Sequence, residues 1–272
     1  MADSPDRVTI DLAVGRLTGL LRRYLPDLLS GLHLIGSAAD GDFRSGHSDL
    51  DFVAVLSRPA SNEDLEALVL LHRTYASDPT LPPLDGIWVT EADLAAGPDR
   101  CAEGPTTREN QFLATAAGNR NPLTWLALRQ HALPLFGGLD VAKLWHDPAR
   151  LASWTWEHVD AHWVPWHARS SILLSRRGLA LLGFEAPMRG VLGISLLHHI
   201  LATGTITSRS GAGDYALTAF DARWHRIASE CLRTRRGQGK PLYANPFARR
   251  RDALDFVAMV IGAIRTGYFT PG

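Results

Sequence analysis

The stretch "GSAADGDFRSGHSDLDFVAVL", Gly36 to Leu56, decides how the rest of the chain reads. It contains a Gly-Ser pair, a polar loop, and an acidic pair, Asp49 and Asp51, that opens an apolar run. Strand side chains alternate between faces, so Asp49 and Asp51 point one way and Leu50 and Phe52 the other. Two neighbouring carboxylates repel, and the repulsion costs stability unless a cation lies between them. Mg²⁺ takes oxygen ligands in octahedral array, commonly one or two carboxylates plus substrate phosphates. Gly36 lets a backbone approach closely, and Ser37 with its neighbouring N–H groups can hold phosphate oxygens. Ser48 can cap the loop or bond the same phosphates. A D-x-D pair alone is most often a solvated edge. The ordered set of strand, Gly-Ser, eleven residues, Asp-Leu-Asp and second strand is far more specific.

Around this stretch the chain reads as α/β first and helical later. Residues 8–29 carry Val8, Leu12, Val14, Leu17, Leu20, Leu21, Tyr24 and Leu25 at helical spacing. "GLHLIGS" is a short apolar strand that stops at Gly36-Ser37, "DLDFVAVL" a second, and "LDGIWVT" a third. "SNEDLEALVLLHRTYASD" is a helix capped at Ser61 or Asn62. "NPLTWLALRQHAL" is a helix, "PLFGG" a turn, and Asp147-Pro148 a linker. Beyond it residues 153–183, 187–203, 212–233 and 246–267 read as helices. The expected class is α+β: an α/β domain over 1–150 with a mixed sheet, then an all-helical domain over 151–272.

The 272 residues suffice for two domains, and 46% apolar with 21% charged content is ordinary for a globular chain. Formal net charge is zero, so a broad attraction of the whole chain to nucleic acid or anionic membrane is not expected. Cys101 and Cys231 are far apart and form neither a metal-ligand pattern nor a disulfide scaffold. No run approaches the roughly 20 apolar residues of a membrane span. "MADSPDRVTIDLAVGRLTGLLRRYL" lacks the apolar core of a signal peptide, so a cytoplasmic monomer is expected.

The opening stretch resembles the nucleotidyltransferase superfamily that includes DNA polymerase β, whose signature is G-S-x(n)-S-D-x-D. Gly36, Ser37, Ser48, Asp49 and Asp51 match it directly. The resemblance implies a third carboxylate from a later strand, for which Asp85 in "PLDGIWVTEADL" is the best candidate and Glu91 and Asp93 the competitors. It also implies two Mg²⁺ ions clamping an in-line displacement at the α-phosphate of ATP, with pyrophosphate leaving. Asp49 and Asp51 would hold the metals. Asp85 would bind the second metal or take a proton from the acceptor hydroxyl.

The layout further resembles the streptomycin/spectinomycin adenylyltransferases, which follow that domain with a helical one. "NPLTWLALRQHALPLFGG", "HVDAHWVPWHAR", "GVLGISLLHHILATGTITSRSGAGDYAL" and "CLRTRRGQGKPLYANPFARRRDALDFV" carry the likeness. The family's triphosphate-binding basic residue falls on Arg209, and a tyrosine phosphate contact falls near Arg235. The resemblance implies ATP and a small aminoglycoside or aminocyclitol acceptor as partners. Two departures stand out. Asp85 occupies a place that is glutamate in the drug-modifying members. The region "APMRGVLGISLLHH" has Arg189, and no acid nearer than Glu185, where those members bind a cationic drug. Rival readings are AMPylation of a protein, nucleotide addition to RNA, or a nucleotide-binding protein that has lost turnover.

Other residues read more plainly. His158 and His162, four apart, could share a metal, but no third ligand follows, and partly exposed helix histidines are the default. Trp154, Trp156, Trp163 and Trp166 are chiefly core or domain-packing residues, with Trp163 or Trp166 a candidate for the acceptor cleft. His198 and His199 suit helix packing at least as well as substrate contact. Arg249, Arg250 and Arg251 read as a solvated helix face. His47 is a loop residue with a minor claim on phosphate.

Overall fold

The computed structural model describes residues 4–267. The chain forms two compact units, Met1–Asp147 and Pro148–Gly272. The α+β class expected from the sequence holds: a six-stranded mixed sheet occupies the first unit and helices the second.

In the first unit the order is α1 (Pro5–Tyr24), β1 (Leu29–Leu34), α2 (Gly36–Ala39), β2 (Leu50–Leu56), α3 (Asn62–Ala76) and β3 (Leu84–Thr90). Then come α4 (Glu91–Ala96), β4 (Gly104–Arg108), β5 (Gln111–Ala116), α5 (Pro122–His131) and β6 (Leu133–Phe136). The strands lie in the order β5-β4-β3-β2-β1-β6. Only β2 and β3 run parallel; their crossover is α3, entered through a Ser61 capping box with Asp64 at the third helical position. Leu50, Phe52, Ala54 and Leu56 of β2 join Leu32, Leu34 and Trp88 in a core covered by Leu17, Leu20 and Leu21 of α1 and Leu68 and Leu71 of α3. By alternation, Asp51, Val53 and Val55 of β2 and Asp85, Ile87 and Val89 of β3 occupy the other face. A parallel pair buried on both faces needs continuous apolar runs, which "FVAVL" and "IWV" supply.

One local expectation is corrected here, and two features are added. "PLFGG" is not only a turn: Leu133–Phe136 pairs antiparallel with β1, a short edge strand that Pro134 weakened in the sequence pattern. β1 ends at Leu34, as the sequence implied, and Gly36-Ser37 starts the helical turn α2, with Gly36 at φ +63°. The hairpin β4–β5 was not foreseen. Its turn residues Glu109 and Asn110 both have positive φ, and the dipeptide is not the usual Asn-Gly or Asp-Gly.

The second unit contains α6 (Pro148–His158), a π-helical turn (Val159–Trp163), α7 (Val164–Ser171), α8 (Arg176–Ala180), α9 (Glu185–Thr203), α10 (Arg209–Ala219), α11 (His225–Arg236) and α12 (Pro246–Thr266). The single helix expected over 153–183 is thus broken. Pro165 has no N–H to donate back along the helix, and the wider π-turn lies directly before it. The helix expected over 212–233 is interrupted as well. Asp221 accepts from the N–H of Arg223 and caps a new 3₁₀ turn before α11. The core of the unit is formed by Val191, Leu192, Ile194, Ile227, Cys231, Phe256, Val257 and Val260. Trp163 and Trp166 pack beside it against α9, where a Cβ on Gly193 or Gly190 would lie only 2.7 Å from the Trp163 or Trp166 ring. These two indoles therefore serve packing inside the unit.

The arginine run is not uniformly solvated. Arg249 is 3% exposed; it donates to the carbonyls of Leu182 and Gly183 and sits 4.0 Å from the Phe184 ring centroid. Arg250 donates to the carbonyls of Ser170 and Ser171. Arg251, paired with Asp252, matches the expected exposed face.

Candidate active site

The site sits at the start of the parallel strands, on the face turned away from α1 and α3. Strand pairing sets its geometry: Asp51 of β2 and Asp85 of β3 are direct partners across the parallel ladder. Asp49 lies one residue before β2. All three carboxylates are half-buried. Burial first, and then the charge of Asp49, push the Asp85 carboxyl up to about 6; Arg108 opposes this shift and Glu109 adds to it.

Gly36 lies against this cluster. A Cβ there would come 2.5 Å from Asp51 Oδ2, so both the left-handed backbone and the lack of a side chain are used. The N–H of Ile35 donates to the carbonyl of Asp51 at 3.0 Å, tying the turn to β2. Ser37 is half-buried in the same turn, and its carbonyl accepts from Asp42 N at 2.9 Å. Ser48 is buried, and its hydroxyl accepts from Arg44 N at 3.0 Å, closing the loop just ahead of Asp49. The loop is tethered to α1, since Asp6 accepts from Arg44 and from Ser45 N. Asp40, at the end of α2, pairs with His131 of α5 at 2.6 Å. Burial holds the Asp40 carboxyl above its usual range despite that bond.

The fold matches that of a spectinomycin adenyltransferase. The protein in question is spectinomycin adenyltransferase AAD(9) from Enterococcus faecialis, solved with ATP and spectinomycin. The likeness has a TM-score of 0.63 at 13% identity and covers 91% of this chain and 98% of that one. No family model and no curated protein matches the sequence.

The remaining sequence candidates lie on other elements. Glu91 and Asp93, the competitors of Asp85, lie beyond β3; Asp93 closes the capping box of α4 with Thr90. Arg209 is exposed as the first residue of α10, directly after its cap Ser208. Arg235 is 6% exposed in the last turn of α11. His158 and His162 stack at 4.4 Å between centroids, and burial pushes His158 down to about 4. His198 is buried, with Nδ1 2.8 Å from Tyr215 Oη, a packing role. Among the described residues no group of three or more His, Cys, Asp or Glu side chains is arranged to hold a metal by itself.

Sequence reasoning missed the residues that surround Asp85. Asn119 Nδ2 donates to Asp85 Oδ1 at 3.0 Å. The hairpin turn is latched to the start of β3, where Asn110 Oδ1 accepts from Leu84 N at 2.7 Å. That latch brings Arg108 and Glu109 into the field of Asp85. The usable signal was the run of turn formers "AGNRN" between β5 and α5, which marks a loop without saying where it reaches.

Proposed function

We propose that this chain is a nucleotidyltransferase that moves AMP from ATP to a hydroxyl of a small molecule. The observation that carries this reading is the pairing of Asp51 with Asp85 across parallel strands, beside Asp49 and a glycine turn that leaves no room for a side chain. The donor set is hard oxygen, which suits Mg²⁺. Burial first, and then the charge of Asp49, raise Asp85, and a divalent cation would relieve the second of these. Two carboxylates and a triphosphate suffice for such an ion, so three pre-set protein ligands are not needed. When bound, Mg²⁺ supplies charge neutralisation at the phosphates.

The protein groups then have distinct tasks. Asp49 and Asp51 would hold the ions. Asp85 would complete the set or accept the proton of the attacking hydroxyl. Gly36 and Ser37 present backbone to the phosphates, and Ser48 keeps the loop closed behind Asp49. By the family resemblance, Arg209 and Arg235 would be the cationic partners of the triphosphate, a role suited to the guanidinium fork.

An aminocyclitol or aminoglycoside is the leading acceptor by likeness of fold. Glu185 would be its acidic partner, but Glu185 already lies 3.8 Å from Arg189, so a cationic acceptor must compete with that arginine. The test is mass spectrometry of an acceptor panel (spectinomycin, aminoglycosides, cell extract) after incubation with ATP and Mg²⁺. An AMP adduct formed by the wild type and absent with Asp51→Asn supports the reading. Label on protein or RNA moves the acceptor to the macromolecular class, and no adduct with any member sinks the proposal.

A further inference from the structure

Asp85 is held by a partner whose own position is fixed with unusual care. Asn119 donates to Oδ1 at 3.0 Å, and Oδ2 accepts no hydrogen bond among the described residues. The carbonyl of Asn119 accepts from Thr124 Oγ1 at 2.6 Å and from Asn121 N at 3.0 Å. Asn121 in turn caps α5. Arg120, only 8% exposed, donates to the carbonyls of Trp88 at 2.7 Å and Pro105 at 3.0 Å. Gly118 backs onto Thr106 with no space for a Cβ. The loop is therefore bound to β3, β4 and α5 at once, which is more than joining β5 to α5 requires. Trp88, one of its anchors, is three residues along β3 from Asp85.

We infer that Asn119 is a positioning residue for Asp85: by holding Oδ1 it sets the rotation of the carboxylate and leaves Oδ2 for the reacting groups. The terminal torsion of an aspartate is broad, so without a donor the two oxygens have no fixed roles. An amide on a rigid loop supplies the donor. A carboxylate in its place would add a fourth negative charge. The inference rests on the nucleotidyl-transfer reading and assigns that reaction a residue outside the signature motif.

The test compares wild type, Asn119→Ala and Asn119→Asp by kcat, KM for ATP, calorimetric binding of Mg²⁺ with a non-hydrolysable ATP analogue, and Tm. Partners of this kind contribute about 10- to 100-fold. The expected result is a kcat loss of that size in both variants, with nucleotide binding within about twofold of wild type and Tm unchanged. Turnover in the wild type with kcat preserved in Asn119→Ala overturns the inference alone. Parallel loss of kcat, affinity and Tm in both variants also overturns it, since that marks a purely structural loop. A wild type that binds the nucleotide but turns over no acceptor overturns the underlying reading instead.

Discussion

Asp85 bears two conflicting demands, because the burial and neighbouring charge that suit it to its proposed role disfavour its ionised form. Its folded pKa is about 6 against an ordinary 3.8, so its stabilising contribution is full below the ordinary value and is lost as pH rises through about 6. In the ligand-free protein at pH 7, Asp85→Asn should therefore raise Tm, by about 2 °C or more, while removing turnover. Calorimetric melting with and without the substitution checks it; an unchanged or lower Tm contradicts the assigned cause. Gly36→Ala should lower kcat and stability together, since a Cβ at φ +63° and 2.5 Å from Asp51 Oδ2 must displace the turn or the carboxylate. A cost of about 1–3 kcal/mol in urea unfolding is expected. At this scale the spacing of Gly36, Asp49 and Asp51 is local and could be read directly, whereas Asp85 was named only through the family resemblance. Asn119 was invisible, as it meets Asp85 across 34 positions through a loop of no regular period.

At the scale of elements, β1, β2, β3 and α3 were legible from periodicity and caps, and they are what place Asp51 beside Asp85. The hairpin β4–β5 and the edge strand β6 were not, because "GPTTR" and "LPLF" carry Gly, Pro and little alternation. Gly86→Ala tests the β2–β3 pair: its Cβ would clash with the Phe52 carbonyl and stand 2.7 Å from the Phe52 ring. A loss of about 1–3 kcal/mol with reduced turnover is expected; wild-type stability would mean the strands can part without cost. The hidden contact between α3 and the hairpin has its own signature. His72 is buried, its Nε2 2.9 Å from Thr107 Oγ1, its ring stacked on Phe112, and burial pushes it down from 6.5 to about 4. A lowered folded pKa gives stability above 6.5 that is lost as pH falls toward 4, a loss on the order of 3 kcal/mol. His72→Phe should flatten that acid limb in pH-dependent unfolding; an unaltered limb would place the protonation elsewhere.

For the whole molecule, a fold matched at 13% identity shows that one topology is compatible with very different residues. Each unit has its own core, and Phe256→Ala in the helical one should cost about 3–5 kcal/mol, read by urea unfolding. Zero net charge on the chain sets no partner, and the acceptor was the least legible feature. It depends on which side chains converge after folding. The central claim is transfer of a nucleotidyl group, and the most direct measurement is acceptor-dependent pyrophosphate release from ATP with and without Mg²⁺. The account predicts Mg²⁺-dependent release by the wild type and a drop of about two to three orders of magnitude in Asp51→Asn, the size of several kcal/mol of lost charge stabilisation. Release that persists in Asp51→Asn, or that proceeds equally without divalent cation, would contradict it.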